Sequence, residues 1–465
     1  MTNNILTRRL GGALCCAALA AVLTGCGIYK KYDLPTEKSA IVADFDAAAK
    51  AAVDSTTLPY LSWDKVFTDS KLQALIREAL ESNKDLRNAK LNIDIAHAQL
   101  LGAKLSYFPA VAFSPNGGSA SYGGSHMNWT YSLPLSAQWE IDVFGKILNT
   151  KRQARVVLEQ SEDYAQAVRS QIISGVATTY YSMVLLQQQL DLTKRTAEIW
   201  ADQVKTMKSL KNAGSTNEAA VQQSEANYYS ILASIPDMEQ QLTVLNNTMS
   251  LLLNTYPRTW DINTNLDFDL PAGLTSGVPV SYLAARPDVR AAERQMASAY
   301  YATASARAAF YPSLTVTAQG GFTNLLGSII TNPGKWFIQL AGQLSAPIFS
   351  RGRNIANLKV AKANQQKAMN DFEYAVLSAS ADVSDALAKI EANSRKRAYL
   401  LQQIESLEKA VDYTQTLFVY QSSTTYLEVL TARSSLLQAQ LSSLSCWYAR
   451  AAALISLYQS VGGGC

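Results

Sequence analysis

The chemistry open to this chain is narrow. Its only histidines are His97, in a stretch of helical character, and His126, in a stretch that reads as a hairpin turn. Neither has a cysteine or carboxylate at the spacing a metal site needs. Gly320-Gly321 and Gly462-Gly463-Gly464 are too short and badly placed to cradle a phosphate, and no serine sits in a nucleophile elbow. Asp382 and Asp385 stand at i, i+3 on a helical stretch, which makes a wet stripe rather than an acid pair. Glu140 and Asp142 share one face of a strand-like segment and read as lumen-lining. The eight methionines show no cluster that would suggest a copper path. No catalytic residue, cofactor or metal is expected, and the chain reads as a non-enzyme.

One residue does carry chemistry. Arg8-Arg9 precede an apolar run, Leu10 to Leu23, that ends in Leu23-Thr24-Gly25-Cys26. A basic start, a short apolar core and small residues before the cut make an export signal. That core is too short to span a bilayer. Its ending resembles a bacterial lipobox, which implies cleavage before Cys26 and lipid on that residue's thiol and amine. Gly27 follows, where an Asp would suggest inner-membrane retention, so the outer membrane is expected. Cys15 and Cys16 leave with the signal. Cys446 and Cys465 remain; an oxidising periplasm permits them to pair, but both read as structurally minor.

Hydrophobic residues make up 48% of the chain and charged residues 17%, at a net +4. Removing Arg8 and Arg9 from the 41 Lys and Arg leaves 39 against 37 Asp and Glu. So even a balance gives no electrostatic footprint for nucleic acid. Past the signal no run of about 20 apolar residues exists, so no spanning helix is expected. A body that crosses a membrane must then do so as a closed β-barrel.

The elements that would position these residues come in two copies. Ala103-Lys104-Leu105-Ser106-Tyr107-Phe108-Pro109 is echoed by Ala306-Arg307-Ala308-Ala309-Phe310-Tyr311-Pro312. After each come strand-like segments, a very long helical stretch, a polar break and another helix, an internal duplication. From Trp129 to Val143 apolar and polar residues alternate, as in a strand with one greasy and one wet face. Trp336, Ile338, Leu340, Leu344, Ala346 and Ile348 share a face in the second copy, led by Leu314, Val316 and Ala318. The first copy's leading strand, Ala110 to Tyr122, is weaker. Each copy thus offers one hairpin, four strands per chain. The smallest membrane barrels need about eight strands. Either the chain forms a small soluble sheet, or several chains share a barrel. Tyr122, Trp129, Trp139, Phe322 and Trp336 are placed like a membrane-interface girdle; sheet-core aromatics are the alternative.

Lys146 to Asn212 contains no proline. Ile172, Val176, Thr179, Met183, Leu186, Leu190, Thr193, Ala197, Trp200, Val204 and Met207 run at 4-3-4-3 spacing, a coiled-coil seam. Val376, Val383, Leu387 and Ile390, then Leu400, Ile404, Leu407, Val411 and Phe418, mark the second. At 1.5 Å per residue each stretch reaches about 100 Å. Such lengths suit a periplasm-crossing conduit or a stalk. Ala213-Gly214-Ser215-Thr216 and Gln421-Ser422-Ser423-Thr424 read as helix-to-helix turns, with Ser and Thr as N-caps for the returning helices. Pro236 should kink or restart the first of these. Tyr256 to Pro287, rich in Pro, Gly, Asp and Thr, reads as the linker between copies.

Together these features resemble the TolC-type outer membrane factors, in the NodT-like lipoprotein branch that serves tripartite efflux pumps. Besides the lipobox, the resemblance rests on Trp63 with Leu72-Gln73-Ala74-Leu75-Ile76, Asn83-Lys84-Asp85-Leu86, Ile235-Pro236-Asp237-Met238-Glu239, Arg286-Pro287-Asp288-Val289, Ala291-Ala292-Glu293 and the motif ending at Pro312-Ser313. It spans essentially the whole mature chain. The resemblance implies an α+β membrane protein: a homotrimer whose hairpins build a twelve-stranded β-barrel, four strands per chain, in outer-membrane lipid. Long helices would continue it as a periplasmic α-helical barrel. A periplasmic adaptor (membrane fusion) protein would dock at the helical tips, around Gly214, Ser215, Ser422, Ser423 and Thr424. The adaptor would connect to an inner-membrane transporter, often of the resistance-nodulation-division (RND) type. The family's periplasmic gate lies just past the second turn. There Glu428 matches the first acidic position, Thr431 stands where the namesake has a second Asp, and Ser422 stands where Gly is common. A single ring of three Glu428 would attract cations; a solvated helix-tip glutamate is the plainer alternative.

The expected organisation is a signal peptide over 1–25 and an anchored extension over 26–65. A first repeat over 66–255, an equatorial linker over 256–285, a second repeat over 286–460 and a tail over 461–465 follow. The function expected is an exit duct for small molecules such as drugs. A duct for type I protein secretion or metal-ion export is the alternative. A coiled-coil surface lipoprotein explains neither the hairpins nor the duplication.

Overall fold

The structure, a computed structural model, describes residues 29–50, 62–120, 128–264, 268, 280–325, 335–420 and 425–463. Its helices are α1 (Ala40–Lys50), α2 (Trp63–Val66), α3 (Ser70–Ser82), α4 (Lys84–Leu105), α5 (Lys146–Asn212), α6 (Glu218–Leu252), α7 (Pro287–Ala308), α8 (Arg353–Tyr420) and α9 (Tyr426–Ser460). Its strands are β1 (Ala110–Phe113), β2 (Asn116–Ala120), β3 (Asn128–Ile141), β4 (Ser313–Leu325) and β5 (Lys335–Ser345). The duplication is legible in lengths. Helices α4 and α7 have 22 residues each, α5 and α8 have 67 and 68, and α6 and α9 have 35 each.

The chain divides into two compact units, each drawn from both repeats. The first holds residues 1–35, 92–161 and 291–372; the second holds 36–91, 162–290 and 373–465.

The first unit contains the sheet, all antiparallel, in the order β1-β3-β4-β5, with β2 also on β3. The expected leading strand of copy one is two short strands rather than one. The break falls at Ser114-Pro115, opposite Pro134 of β3. The Pro134 carbonyl accepts from the Ser114 amide at 3.2 Å, but its ring nitrogen has no hydrogen to return. Across the other edge Pro134 faces Gly321 of β4. A Cβ there would lie 2.2 Å from the Leu133 carbonyl oxygen, so only glycine lets the two backbones approach.

Strand register sorts most side chains by polarity, with Phe337 on the polar face as an exception. Val111, Ala137, Ala318 and Leu340 form one cross-sheet row; Phe113, Leu135, Gly320 and Ile338 the next; Ile141, Leu314 and Leu344 another. The opposite face carries Ser136, Gln319 and Gln339, then Glu140, Thr315 and Gln343. Strand β5 ends at Ser345, so Ala346 and Ile348 lie beyond the alternating face assigned to them. Helix α4 packs on the start of α5 in this unit through Ala96, Leu100 and Leu158.

In the second unit the heptad seam is the core. Ten of the eleven seam residues of α5 are buried, and Leu186 is half-buried. Phe67, Tyr181, Phe268, Trp447 and Tyr458 form a continuous ring network beside it. The sequence Asn83-Lys84-Asp85-Leu86 is a helix junction. The Asn83 Oδ1 accepts from the Asp85 and Leu86 amides at 2.8 and 3.3 Å and so caps α4. Its Nδ2 donates to the Leu252 carbonyl at the end of α6, at 2.9 Å. Of the kink or restart expected at Pro236, the restart does not occur: the helix runs unbroken from Glu218 to Leu252. Proline costs the Leu232 carbonyl its helical donor, and Ser234 turns its hydroxyl to the Ile231 carbonyl beside that gap.

Candidate functional site

Two places carry the function read from the sequence: the sheet faces and the turn ends of the long helical pairs. Among the described residues most of the sheet's apolar face is exposed, although Tyr131 on it is buried. Ile338 is 77% exposed, Leu340 75% and Trp336 71%. A contiguous exposed apolar surface of this kind marks a membrane or protein contact. The aromatics lie at two levels of that face. Phe322 is directly opposite Trp336 and pairs with Leu133, while Trp129 lies four residues further along β3 toward the turn end of the sheet. Trp139 is at the helix end, where its indole donates to the Tyr107 carbonyl at 2.9 Å. Tyr122 lies outside the described residues, as do His126, Cys26, Cys465, Ser422, Ser423 and Thr424.

Glu140 sits on the polar face as expected and pairs with Lys146 at 3.0 Å. Asp142 does not line that face. It lies past the end of β3, where its carboxylate accepts from the Leu148 amide at 2.7 Å and caps α5.

At the first helical turn, Gly214 takes φ +76°, a left-handed conformation open to glycine. The Ser215 amide donates to the Leu210 carbonyl at 2.9 Å and the Gly214 amide to Lys211 at 3.0 Å. This closes α5 as a Schellman motif, with Ser215 just outside it. The returning helix is capped by Asn217, whose Oδ1 accepts from the Ala220 amide at 3.0 Å, and not by Ser215 or Thr216. An amide oxygen one residue later reaches the third helical N–H directly. Lys211 pairs with Glu218 and holds its carboxyl below the usual carboxylate range; Lys208 pairs with Glu225 at 2.7 Å.

The second turn leads into α9 at Thr425. Glu428 is exposed in the first turn, and the Thr425 hydroxyl donates to its carboxylate at 3.3 Å. Glu428 stands three residues after the N-cap Thr425, where a capping box would place it, but Thr425 makes no side-chain cap bond to the helix amides. Thr431 is exposed and returns its hydroxyl to the Leu427 carbonyl at 2.8 Å.

Between the two turns lies a contact the sequence reading did not single out. Tyr426 is buried beside Trp200, Met207, Val221 and Leu430, and its hydroxyl bonds that of Ser224 on α6. Burial pushes the Tyr426 phenol up, against the hydrogen bond from Ser224 that lowers it. The only signal for it was an aromatic at the first position of a returning helix. Cys446, on the same helix, is a free buried thiol that donates to the Asn393 carbonyl at 3.2 Å.

His97 is exposed on α4. No helix among the described residues is long and apolar enough to cross a membrane.

The comparisons with known proteins point one way. A family model described as outer membrane efflux protein matches residues 75–255 and 278–463. The cation efflux system protein CusC of Escherichia coli O157:H7 is 30% identical over 463 residues, covering 97% of each chain. The toluene efflux pump outer membrane protein TtgF of Pseudomonas putida is 28% identical, covering 96% of each. Among solved structures, CusC superimposes at a TM-score of 0.81 with 27% identity, covering 89% of this chain and 96% of that one. The open-state Neisseria gonorrhoeae MtrE outer membrane channel superimposes at 0.79 with 29% identity, covering 90% and 94%.

Proposed function

The chain belongs to the outer membrane efflux protein family, and from that premise we propose that it works as a homotrimeric exit duct of a tripartite pump. Its place is the outer membrane, with helices extending into the periplasm, and its family is one of channels rather than enzymes. We read no catalytic role in the chain.

The observation that carries the proposal is the sheet. Its apolar face is largely exposed, Tyr131 excepted, and its opposite face is rich in Ser, Thr and Gln, with Glu140, Lys335 and Phe337 among them. That is the arrangement of a lipid-facing barrel wall around a wet lumen. Ten residues separate Trp129 from Trp139, about 33 Å along a strand. At the tilt usual in membrane barrels this spans about 25 Å of bilayer, the height of an apolar band between aromatic girdles. A lone sheet of this width has two open edges, which three chains would close into twelve strands. The repeats meet within one chain along β3 and β4; between chains, β5 would meet the first strand of the next copy in the same way.

In this reading the turns at Gly214-Ser215 and at Ser422-Ser423-Thr424 are the adaptor's docking points, and an inner-membrane transporter, of the resistance-nodulation-division type, supplies the cargo. The repeat boundaries set out above are the proposed division of the chain. Cys26 is the lipid anchor. Cys26→Ser should lose metabolic palmitate labelling, and a labelled variant removes the assignment.

Glu428 and Thr431 are the periplasmic constriction, a single acidic ring. Planar-bilayer recording tests duct and gate together. Wild-type trimer should conduct poorly with cation preference, and Glu428→Ala should conduct better with weaker preference. A wild type without channels would sink the duct; unchanged conductance and selectivity in the variant would sink the gate alone.

The client is small molecules such as drugs. A second reading, metal-ion export, is favoured by the cation efflux relative at 30% identity. Growth of a deletion strain and its complemented partner on metal cations and on organic solvents separates the two.

A further inference from the structure

The near-neutral chain hides a segregation of charge. Counted from Tyr29, the unit holding the sheet has fifteen Lys and Arg against seven Asp and Glu; the other unit has twenty-four against thirty. Within the strands of the first unit only Glu140 and Lys335 are charged. The excess therefore lies on the helices and connecting segments.

Part of it is organised at the helix end of the sheet, on the side of the apolar face. Trp139, on that face, binds the Tyr107 carbonyl, and the Lys151 ammonium sits over the Tyr107 ring at 5.4 Å. The chain enters here. The Tyr29 hydroxyl donates to the Val143 carbonyl at 2.6 Å, just past β3. Arg152 Nη1 donates to the Tyr29 and Lys30 carbonyls at 3.2 and 3.4 Å, and its guanidinium lies over the Tyr301 ring at 5.9 Å. Lys30 and Lys31 are exposed, four and five residues after Cys26. Glu140 is matched by Lys146 and Asp142 caps a helix, so the two nearest strand-end carboxylates are engaged.

We propose that Lys30, Lys31 and Lys151, set among Tyr29, Tyr107 and Trp139, seat the phosphate of an anionic glycerophospholipid of the periplasmic leaflet. The inference rests on the duct reading, which puts the apolar rows in the bilayer and the helices on its periplasmic side. Amphipathic rings belong at the headgroup level, and lysines near an anionic leaflet attract it, falling off with salt. The strap is already ordered by Tyr29 and Arg152, so little ordering cost opposes binding. The far end of the sheet offers only Lys335 among its strand residues, which favours the periplasmic leaflet over the outer one.

The test uses the full chain in detergent, offered equimolar dioleoylphosphatidylglycerol and dioleoylphosphatidylcholine, with bound lipid read by native mass spectrometry. Wild type should retain phosphatidylglycerol preferentially, and less so as salt rises. The triple variant Lys30→Gln/Lys31→Gln/Lys151→Gln should lose that preference about tenfold or more at low salt. Lys335→Gln should keep it. A triple variant with wild-type preference, or a wild type that takes both lipids alike, overturns the proposal. Membrane fractionation is run first: a wild type absent from the outer membrane would defeat the duct reading itself, whereas one present there without lipid preference defeats only this inference.

Discussion

Arg286 shows why a short motif in this chain is structural. Its side chain is 9% exposed, and its guanidinium bonds Asp288 at 2.7 Å, Asp382 at 3.1 Å and the Ser460 carbonyl at 3.1 Å. One cation thus ties the start of α7 to α8 and to the last turn of α9. Arg286→Met keeps the bulk but strands a buried carbonyl, and should cost about 2 kcal/mol or more, read as a lower melting temperature. The same cluster gives a pH dependence. Burial acts to raise the Asp288 pKa, but the hydrogen bond and charge of Arg286 overcome it, and the net shift is down. A depressed carboxylate adds stability above its unfolded pKa of about 4 and loses it as pH falls through the lower folded value. Melting temperature should therefore drop below about pH 4 in wild type and drop less in Asp288→Asn; an equal fall in both would remove Asp288 from the cause. The carboxylate is 55% exposed, so the effect is modest.

At the scale of elements, the strand edges decide assembly. β1 and β5 are the outer strands of the sheet's path, and both carry exposed apolar side chains, Phe113 at 62% and Leu344 at 68%. If β5 pairs with the first strand of a neighbouring copy, residues on the apolar face must meet residues on the same face, because side chains alternate strictly. Phe113→Cys with Leu344→Cys, treated with a short bis-maleimide, should yield covalent dimers and trimers on denaturing gels. Phe113→Cys with Gln343→Cys, one residue across the pleat, should not. Equal cross-linking of both pairs, or of neither, would refute this edge pairing. The helical pairs differ in a telling way. Copy one ends its long helix with Gly214 and a Schellman motif, and its turn is tied by Lys211 and Glu218. Copy two has Ser422 near that place in the sequence, and α9 starts at Thr425 without a side-chain cap, the Thr425 hydroxyl going to the Glu428 carboxylate instead.

For the whole molecule, the sheet has the polarity of a membrane wall. Leu340 and Gln339 are neighbours with similar exposure and opposite faces. Leu340→Lys puts a charge on the lipid-facing side, where the cost rises with depth to as much as about 4 kcal/mol, and should reduce the fraction of protein recovered in the outer membrane. Gln339→Lys should insert normally and alter ion selectivity. A Leu340→Lys protein that inserts at wild-type levels would remove the apolar face from the bilayer.

The sequence by itself determined what depends on periodicity. Alternation along β3 set its faces, and the bounds of α5 follow from a proline-free, seam-bearing stretch. Repeated motifs established the duplication, and ordered motifs the family. What it did not determine depends on partners distant in the chain. Pro134 broke the first strand because the residue opposite it could receive no hydrogen bond. Pro236 passed through α6 without ending it, since packing along a 35-residue helix outweighs one lost donor. Asn217 took the cap expected of Ser215 or Thr216 because cap choice turns on backbone angles rather than on residue type alone. The Tyr426–Ser224, Arg286–Ser460 and Tyr29–Val143 bonds join residues 114 to 202 positions apart. No local pattern encodes such contacts, and only the folded chain, by bringing those positions within a few ångströms, decided them.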